Sequence, residues 1–246
     1  MKNFLILLPF ILFFSCTENS TMEVYDKDQI PAEITVKGFS KPDIIQMRLN
    51  GQPVSINGAA FYTDKIETKI NFVLDRGETD ELDIYNHQTG TKITGYSINY
   101  DNVKDYKNLY FFNLPGIFLQ TYAVKPQVNL GKVGFEFIFP NLGEFSESSL
   151  QGVKGVLKRE NGVVLAEFDN IGRKDFTSVK IYNYFSASAP VYLELYKPGT
   201  TEPYTGAAVI KATLKQDIGA NMIVLQEKLE NGILVIKGDI DVADYL

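Results

Sequence analysis

Cysteine and histidine, on which many enzymes rely, occur once each in this chain, as Cys16 and His87. His87 lies in the stretch YNHQTG, which predicts a hairpin loop, so a Ser-His-Asp or Cys-His nucleophile would have to be assembled on a surface loop. The sequence contains no G-x-S-x-G or H-E-x-x-H motif, no phosphate-binding loop and no dinucleotide fingerprint. A single histidine also disfavours a catalytic zinc site. We therefore expect no catalytic residues, no catalytic metal and no cofactor.

Paired carboxylates are the remaining catalytic possibility. Glycoside hydrolysis needs two Asp or Glu side chains about 5 to 9.5 Å apart. The chain has 30 acidic residues but no tryptophan, and tryptophan is a ring on which sugars commonly stack. The main prediction is therefore a protein that is not an enzyme, and a glycoside hydrolase is the third-ranked alternative.

Acidic residues are concentrated in LDRGETDELD (74–83) and in GDIDVAD (238–244). Calcium requires six to eight oxygen ligands, and a loop of this kind supplies several. Neither stretch has the spacing of an EF-hand loop, and a solvated acidic turn explains both. We expect no metal site, and calcium binding at residues 75–83 stays an open alternative.

Tyrosines alternate with aliphatic residues in VKIYNYF and VYLELY. Because side chains of a strand point to opposite faces in turn, Val179 and Ile181 are predicted to face inward. If the two strands pair, four tyrosines and one glutamate share an outward face. The predicted binding residues are Tyr182, Tyr184, Tyr192, Glu194 and Tyr196.

Amphipathic rings beside a carboxylate suit a stacked glycan or a protein interface. Two structural alternatives explain the same pattern. The tyrosines either form cross-strand aromatic pairs that stabilise the sheet, or face a second layer of the fold.

The N-terminus has the order of a secretory signal: Lys2, then eleven apolar residues from Phe4 to Phe14, then the small residue Ser15. This run is too short to span a bilayer, which takes about 20 apolar residues. Residues 1–15 are therefore predicted to be a signal peptide, and residues 16–29 a polar, flexible tether.

The junction FFSC resembles the lipobox of bacterial lipoproteins, in which the signal is cut before the cysteine and that cysteine is acylated. The resemblance implies that Cys16 carries lipid, with Phe13 standing where most lipoboxes have an aliphatic residue. Several acyl chains on one residue anchor firmly. The alternative is an ordinary signal cut near Ser15 that leaves a free thiol.

The aromatic-rich composition and the FFSC junction resemble outer-membrane lipoproteins of the Bacteroidota group. A second, local likeness is to small β-sandwich domains of unknown function in bacterial secreted proteins, carried by Asn183, 188–190 and Val191. These likenesses imply a lipid-anchored outer-membrane protein. The sequence leaves open whether it is periplasmic or exposed on the cell surface.

The net charge of −6, with basic and acidic residues interspersed, argues against a nucleic-acid partner. An apolar fraction of 45% is enough to build a substantial core. The expected partners are the membrane, through acyl chains on Cys16, and a glycan or a protein of the cell envelope.

Alternation at two-residue spacing recurs from Ile30 onward, with Gly, Asn, Asp or Pro between the runs. The pairs Asn161-Gly162 and Asn231-Gly232 suit type I′ hairpins. Even AAVIKATLKQ (207–216) favours a strand, because it is rich in β-branched residues. In FEFIF, the residues Phe135, Phe137 and Phe139 are predicted to lie in the core.

A pause in the alternation around Pro126 divides the chain into residues 30–125 and 128–246. We predict an all-β protein of two antiparallel β-sandwich domains, immunoglobulin-like or transthyretin-like. The first functional hypothesis is a glycan- or protein-binding module, including a role in adhesion. The second is a structural, fimbrial-type subunit whose exchangeable edge strand would be GILVIKGDIDVADYL.

Overall fold

The computed structural model describes residues 28–55, 58–114, 116–185 and 190–246. The predicted signal peptide, Cys16 and nearly all of the predicted tether lie outside these residues. The regular structure in the described part consists of β-strands and two short 3₁₀ helices, Val103–Tyr106 and Val242–Tyr245. The all-β prediction is confirmed.

Seven strands belong to the first half of the chain, and they form one sheet. They are β1 Gln29–Leu49, β2 Gln52–Pro53, β3 Tyr62–Asp75, β4 Thr79–Asn86, β5 Lys92–Asn99, β6 Asn108–Leu114 and β7 Ile117–Leu119. The order is β5-β4-β1-β6-β7, and β2 and β3 also pair with β1.

Strand β1 changes partners halfway along its length. From Gln29 to Ser40 it pairs with β3, and from Ile45 to Leu49 it pairs with β4. The register shifts between these two parts, at the segment that contains Pro42, which has no backbone N–H for a ladder. Because the two parts of β1 have different partners, this one central strand joins β3 and β4 into a single sheet over one apolar core.

The core of the first half draws residues from β1, β3, β4, β5 and β6. Its most deeply buried members include Ile34, Val36, Ile45, Met47, Leu82, Ile98 and Phe111. Gly38 of β1 is needed where it pairs with Phe111 of the parallel strand β6, because a Cβ at Gly38 would lie 2.8 Å from the carbonyl oxygen of Phe111.

Eight strands build the second half as two four-stranded sheets. They are β8 Lys132–Ile138, β9 Gly152–Arg159, β10 Val164–Gly172, β11 Lys180–Asn183, β12 Val191–Tyr196, β13 Lys211–Leu214, β14 Gly219–Glu230 and β15 Ile233–Asp241. One sheet has the order β10-β9-β12-β13 and the other β11-β8-β14-β15.

The inner faces of these two sheets enclose the second core. Phe135, Phe137 and Phe139 are completely buried in it, which confirms the prediction made from FEFIF. The rings of Phe135 and Phe137 stack at 5.6 Å, and Phe168 meets Phe137 edge-on at 4.8 Å. The second half is therefore a β-sandwich.

The two Asn-Gly hairpins differ in conformation. Asn231 and Gly232 have φ of 51° and 78°, as a type I′ turn requires. At the other hairpin only Gly162 has a positive φ, 84°, and the side chain of Asn161 accepts a hydrogen bond from the N–H of Val163. The type I′ prediction is therefore wrong for Asn161-Gly162, where the loop is longer because Arg159 pairs with Val163.

Two strand pairs are parallel, β1 with β6 and β8 with β14, whereas the other pairs between described strands are antiparallel. In each half the first strand thus lies beside a late strand of the same half. Such a pairing joins residues that are distant in sequence, so no hairpin motif in the sequence predicts it.

A third apolar cluster joins the halves. It contains Phe39, Phe112, Leu114 and Leu119 of the first half together with Ile138, Met222, Val224, Val242 and Ala243 of the second. The C-terminal 3₁₀ helix enters this cluster. There Tyr245 stacks on Phe39 at 3.9 Å, and Nζ of Lys125 donates to the carbonyl of Ala243 at 2.7 Å.

Glu227 of β14 is a completely buried carboxylate. It accepts hydrogen bonds from the backbone N–H groups of Gly143, Phe145 and Ser146, at 2.8 to 2.9 Å, and from the Ser146 hydroxyl at 2.6 Å. Burial acts to raise the pKa of Glu227, but these hydrogen bonds outweigh it and lower the pKa. The carboxylate thereby fastens the loop between β8 and β9 to the sandwich.

We predict that Glu227→Gln lowers the free energy of unfolding by about 2 to 4 kcal/mol at pH 7, because an amide cannot accept this set of donors. A lowered folded-state pKa gives stability that is present above the ordinary carboxyl pKa and is lost as pH falls through the folded value. The loss of stability on acidification should therefore be smaller in the variant. Urea denaturation at several pH values measures both effects.

The matched control is Glu230→Gln, on the same strand, where an exposed carboxylate pairs with Lys237 at 2.8 Å. Its stability should stay close to that of wild type, because solvent screens an exposed ion pair. Equal destabilisation by the two substitutions would contradict the assigned role of Glu227.

Candidate functional site

The five predicted binding residues do not share one face. Strand β11, with Tyr182, pairs with β8, whereas β12 pairs with β9 and β13 in the opposite sheet. The prediction of a common tyrosine surface is therefore wrong. Strands β11 and β12 belong to different sheets and do not pair as a hairpin.

Tyr182 and Tyr184 pack against the sandwich core. The ring of Tyr182 lies parallel to Phe135 at 6.2 Å, its hydroxyl donates to Oε1 of Gln216 at 3.2 Å, and burial raises its pKa. Ile181, predicted to face inward, is 45% exposed. In this strand the sequence predicts that the aliphatic residues face the core and that the tyrosines face outward. The reverse is true, because tyrosines pack against the core here.

Tyr192, Glu194 and Tyr196 do lie together on the outer face of β12. The intervening residues Val191, Leu193 and Leu195 are completely buried, so the alternation predicted for VYLELY is confirmed. Three of the five predicted residues therefore form one surface, which we call the β12 face.

Glu194 is the centre of the β12 face. Its carboxylate is bound by Nζ of Lys158 at 2.6 Å, by Nζ of Lys211 at 3.0 Å and by the hydroxyl of Tyr196 at 2.5 Å. Burial acts to raise the pKa of Glu194, but the hydrogen bonds from Lys158, Tyr196 and Lys211 outweigh it and lower the pKa to about 2. Glu194 is therefore ionised at neutral pH.

Sequence reasoning missed both lysines, because Lys158 lies on β9 and Lys211 on β13. The strand register places both lysines beside Glu194, since Lys211 is directly opposite Glu194 and Lys158 is opposite Tyr192. The alternation in GVKGVLKR does place Lys158 on the outer side of its strand. Nothing in the sequence, however, shows that β9 and β13 flank β12.

A pocket of about 220 Å³ opens beside this carboxylate. Tyr192, Glu194, Lys158 and Lys211 line it together with residues 159, 160 and 162 at the Asn161-Gly162 hairpin. The guanidinium of Arg159 lies 3.7 Å above the ring of Phe185, and this cation-π contact orients the Arg159 side chain. The pocket lining thus combines one tyrosine, Tyr192, with two acidic and three basic residues: Glu160, Glu194, Lys158, Arg159 and Lys211.

Within the described residues there is no group of three or more His, Cys, Asp or Glu that is arranged to hold a metal ion. In the acidic stretch 74–83, Asp75 accepts from the amide of Gln29, and Asp83 pairs with Lys92 at 2.7 Å. The ring of His87 stacks on Phe61 at 3.9 Å. These groups bind their neighbours and do not converge on one point.

Asp241, in the acidic stretch 238–244, accepts from the backbone N–H groups of Met222 and Ala243 at 2.8 and 2.9 Å. It is the N-cap residue of the C-terminal 3₁₀ helix.

In the described part of the chain, no helix is both long enough and apolar enough to cross a membrane.

No protein-family model matches the chain, and no curated protein matches it. Among solved structures, the chain is similar to a family 26 carbohydrate-binding module of Amy13K from Eubacterium rectale, solved in complex with maltoheptaose. The TM-score is 0.24 and the sequence identity 10%, and the match covers 86% of this chain and 99% of that one. The shaft pilin SpaA from Lactobacillus rhamnosus GG has a TM-score of 0.22 and 8% identity, covering 86% and 98%. These likenesses are too distant to support an argument about function.

We predict that Glu194→Gln lowers the free energy of unfolding by about 2 kcal/mol at pH 7, because two ammonium groups lose the anion that they share. Since the folded-state pKa is lowered from 4.5 to about 2, the stabilisation is complete above pH 4.5 and disappears as pH falls towards 2. The difference between wild type and variant should shrink over this interval when it is measured by urea unfolding.

Glu202→Gln is the control, since that exposed carboxylate pairs with Lys197 at 2.9 Å. Its unfolding midpoint in urea should match that of wild type, because the pair is open to solvent. A difference between wild type and Glu194→Gln that stays constant from pH 7 to pH 2.5 would contradict the proposed ion cluster.

Proposed function

We propose that this protein is a lipid-anchored component of the bacterial cell envelope that binds a glycan, without catalysis, at the β12 face. The observation that carries the proposal is the pocket in which the ring of Tyr192 lies beside Glu194 and its two lysines. A sugar offers apolar C–H faces to an aromatic ring and hydroxyl groups to charged donors and acceptors. Both kinds of partner are side by side in this pocket.

The size of the pocket limits what it can enclose. At about 220 Å³ it lies below the roughly 300 to 1,000 Å³ of sites that enclose whole small molecules. It suits one sugar ring of a longer chain whose other residues lie along the sheet. Tyr196 is two residues beyond Glu194 on the same face and offers a further ring in that direction.

Binding fits Glu194 better than hydrolysis does. A glycosidase needs a carboxylic acid that is still protonated near neutral pH and can donate to the leaving oxygen. Two ammonium groups hold Glu194 ionised, with a pKa of about 2, so it has no proton to give. Its role in the proposal is to accept hydrogen bonds from sugar hydroxyls and to hold the lysines in place.

Binding is also favoured over assembly by strand exchange. Strand β15 does lie at the edge of its sheet, where an exchangeable strand must lie. It pairs with β14, however, and leads into the 3₁₀ helix whose Val242 and Ala243 are buried between the halves. Exchange of this strand between copies would have to break both sets of contacts.

The proposed anchor is Cys16, through the lipobox resemblance of FLILLPFILFFSC. Strand β1 begins at Gln29, which is 13 positions after the anchor. A chain of that length extends at most about 45 Å. The β12 face would therefore meet its glycan close to a bilayer.

We predict that Tyr192→Ala weakens glycan binding about tenfold, because a stacked aromatic ring contributes about 1.5 kcal/mol beyond its buried area. A glycan array probed with detergent-purified protein identifies the ligand, and titration calorimetry measures the change. Tyr85→Ala is the control, because Tyr85 is a half-buried strand tyrosine like Tyr192 but lies on the first half, where the guanidinium of Arg48 is 4.3 Å from its ring. It should bind as wild type does.

Three results would count against the assignment. Tyr192→Ala could bind the ligand as tightly as wild type, or the array could give no signal while a cell-envelope protein is captured through this face. Release of reducing ends from a bound glycan would replace the binding function by hydrolysis.

We predict that the protein isolated from its native membrane begins at Cys16 and carries acyl chains there. Intact-mass spectrometry should show the loss of residues 1–15 and the mass of two or three fatty acids. Cys16→Ala should release the protein from the membrane fraction, since one acyl chain contributes about 0.8 kcal/mol per buried methylene and several hold firmly. A bare thiol, or residues 1–15 still attached, would overturn the anchor.

A further inference from the structure

A cleft lies where the two halves meet. Its cavity, about 350 Å³, is lined by parts of β1, β3 and β6, by the segment 121–125 that follows β7, and by the C-terminal residues Tyr245 and Leu246. A second cavity of about 500 Å³ adjoins it, because Thr121 and Tyr122 line both. We call the two together the junction cleft.

Tyrosine rings stand at the middle of the junction cleft. Tyr122 is 62% exposed although it follows directly on the buried Thr121. Its ring meets Tyr110 of β6 edge-on, with centroids 4.5 Å apart and an interplanar angle of 63°. This contact fixes the orientation of the exposed Tyr122 ring in the unliganded protein. The ring is therefore preorganised for stacking against a ligand.

Basic side chains border the cleft on both sides of Tyr122. Lys37, Lys65 and Lys125 line the first cavity, and Arg173 and Lys174 line the second. The acidic side chains that line the two cavities are Glu67 and Asp175. The cleft therefore carries an excess of basic side chains in a chain whose net charge is −6.

Some of these cations are only partly neutralised by their neighbours. Lys37 pairs with Glu67 at 2.9 Å, whereas Lys65 interacts with that carboxylate only at longer range and forms no ion pair within the described part of the chain. Lys125 donates to the carbonyl oxygen of Ala243; it interacts with Asp241 at longer range and is hydrogen-bonded to no carboxylate in the described residues. An anion in the cleft would meet at least two ammonium groups not already bound to a carboxylate.

We propose that the junction cleft is a second binding site, distinct from the β12 face, and that it takes an acidic oligosaccharide. A sugar ring stacks on Tyr122, and carboxylate or sulfate groups of neighbouring sugars bind Lys65 and Lys125. The exposed tyrosine favours a sugar chain over a lipid acyl chain, and the excess of cations favours an acidic sugar over a neutral one.

The position of the cleft adds a consequence for stability. Both halves contribute to its walls, so a bound oligosaccharide touches both. Binding to the folded state alone raises the midpoint of thermal unfolding as ligand concentration rises. A single unfolding transition should move upward as a whole, because one ligand holds both halves.

The test is titration calorimetry on the detergent-purified protein with tetragalacturonate, a heparin-derived tetrasaccharide and the neutral cellotetraose. At least one acidic tetrasaccharide should bind, at least about tenfold more tightly than cellotetraose, and more weakly at 0.3 M than at 0.05 M salt. Tyr122→Ala and Lys65→Gln should each weaken that binding about tenfold. Both positions are exposed, so the fold should tolerate these changes.

The variants at the two sites keep this proposal separate from the one for the β12 face. Tyr192→Ala should leave binding of the acidic tetrasaccharide unchanged, and Tyr122→Ala should leave binding of the array ligand unchanged. The proposal is overturned if neither acidic tetrasaccharide binds at millimolar concentration, or if Tyr122→Ala and Lys65→Gln bind as wild type does. It is equally overturned if tetraglutamate or phosphatidylglycerol vesicles compete for the cleft more tightly than either sugar.

Discussion

The burial of apolar side chains between the two halves is the constraint on which the rest of this structure depends. Strand β14 shows it most directly, because seven consecutive residues from Asn221 to Glu227 are buried. Its odd-numbered residues Ile223 and Leu225 face the sandwich core, while Met222 and Val224 face the first half. A strand covered on both faces reads as a continuous apolar run, as MIVL (222–225) does at the middle of β14.

The contact between the halves also fixes the position of the C-terminal residues. Val242 and Ala243 are buried in it, and Tyr245 stacks on Phe39, so the last residues are held against the first half. The junction cleft lies at the same boundary, because Tyr245, Leu246 and the segment 121–125 line its first cavity. Residues next to those that join the halves therefore border the cavity proposed as a second site.

Three glutamates show how their surroundings set the state of a carboxyl group in this fold. Glu227 is buried among backbone N–H donors and Glu194 among lysines, and in both cases the hydrogen bonds outweigh burial and lower the pKa. Glu136 on β8 forms no such contacts with described residues, and burial raises its pKa to about 7. The first of these carboxylates holds a loop and the second organises the β12 face, because each has partners that favour its charge.

Local features of the sequence determined the strands, several of the turns and much of the core. Alternation correctly placed Leu193 inside and Glu194 outside, and Asn231-Gly232 announced a type I′ turn, because both signals depend only on near neighbours in the chain. Tertiary structure alone decided which strands lie side by side. It placed β11 and β12 in different sheets, turned Tyr182 inward, and brought Lys158 and Lys211 to Glu194. The junction cleft likewise combines segments from both ends of the described chain, since the burial that assembles them acts between residues far apart in sequence and leaves no local pattern.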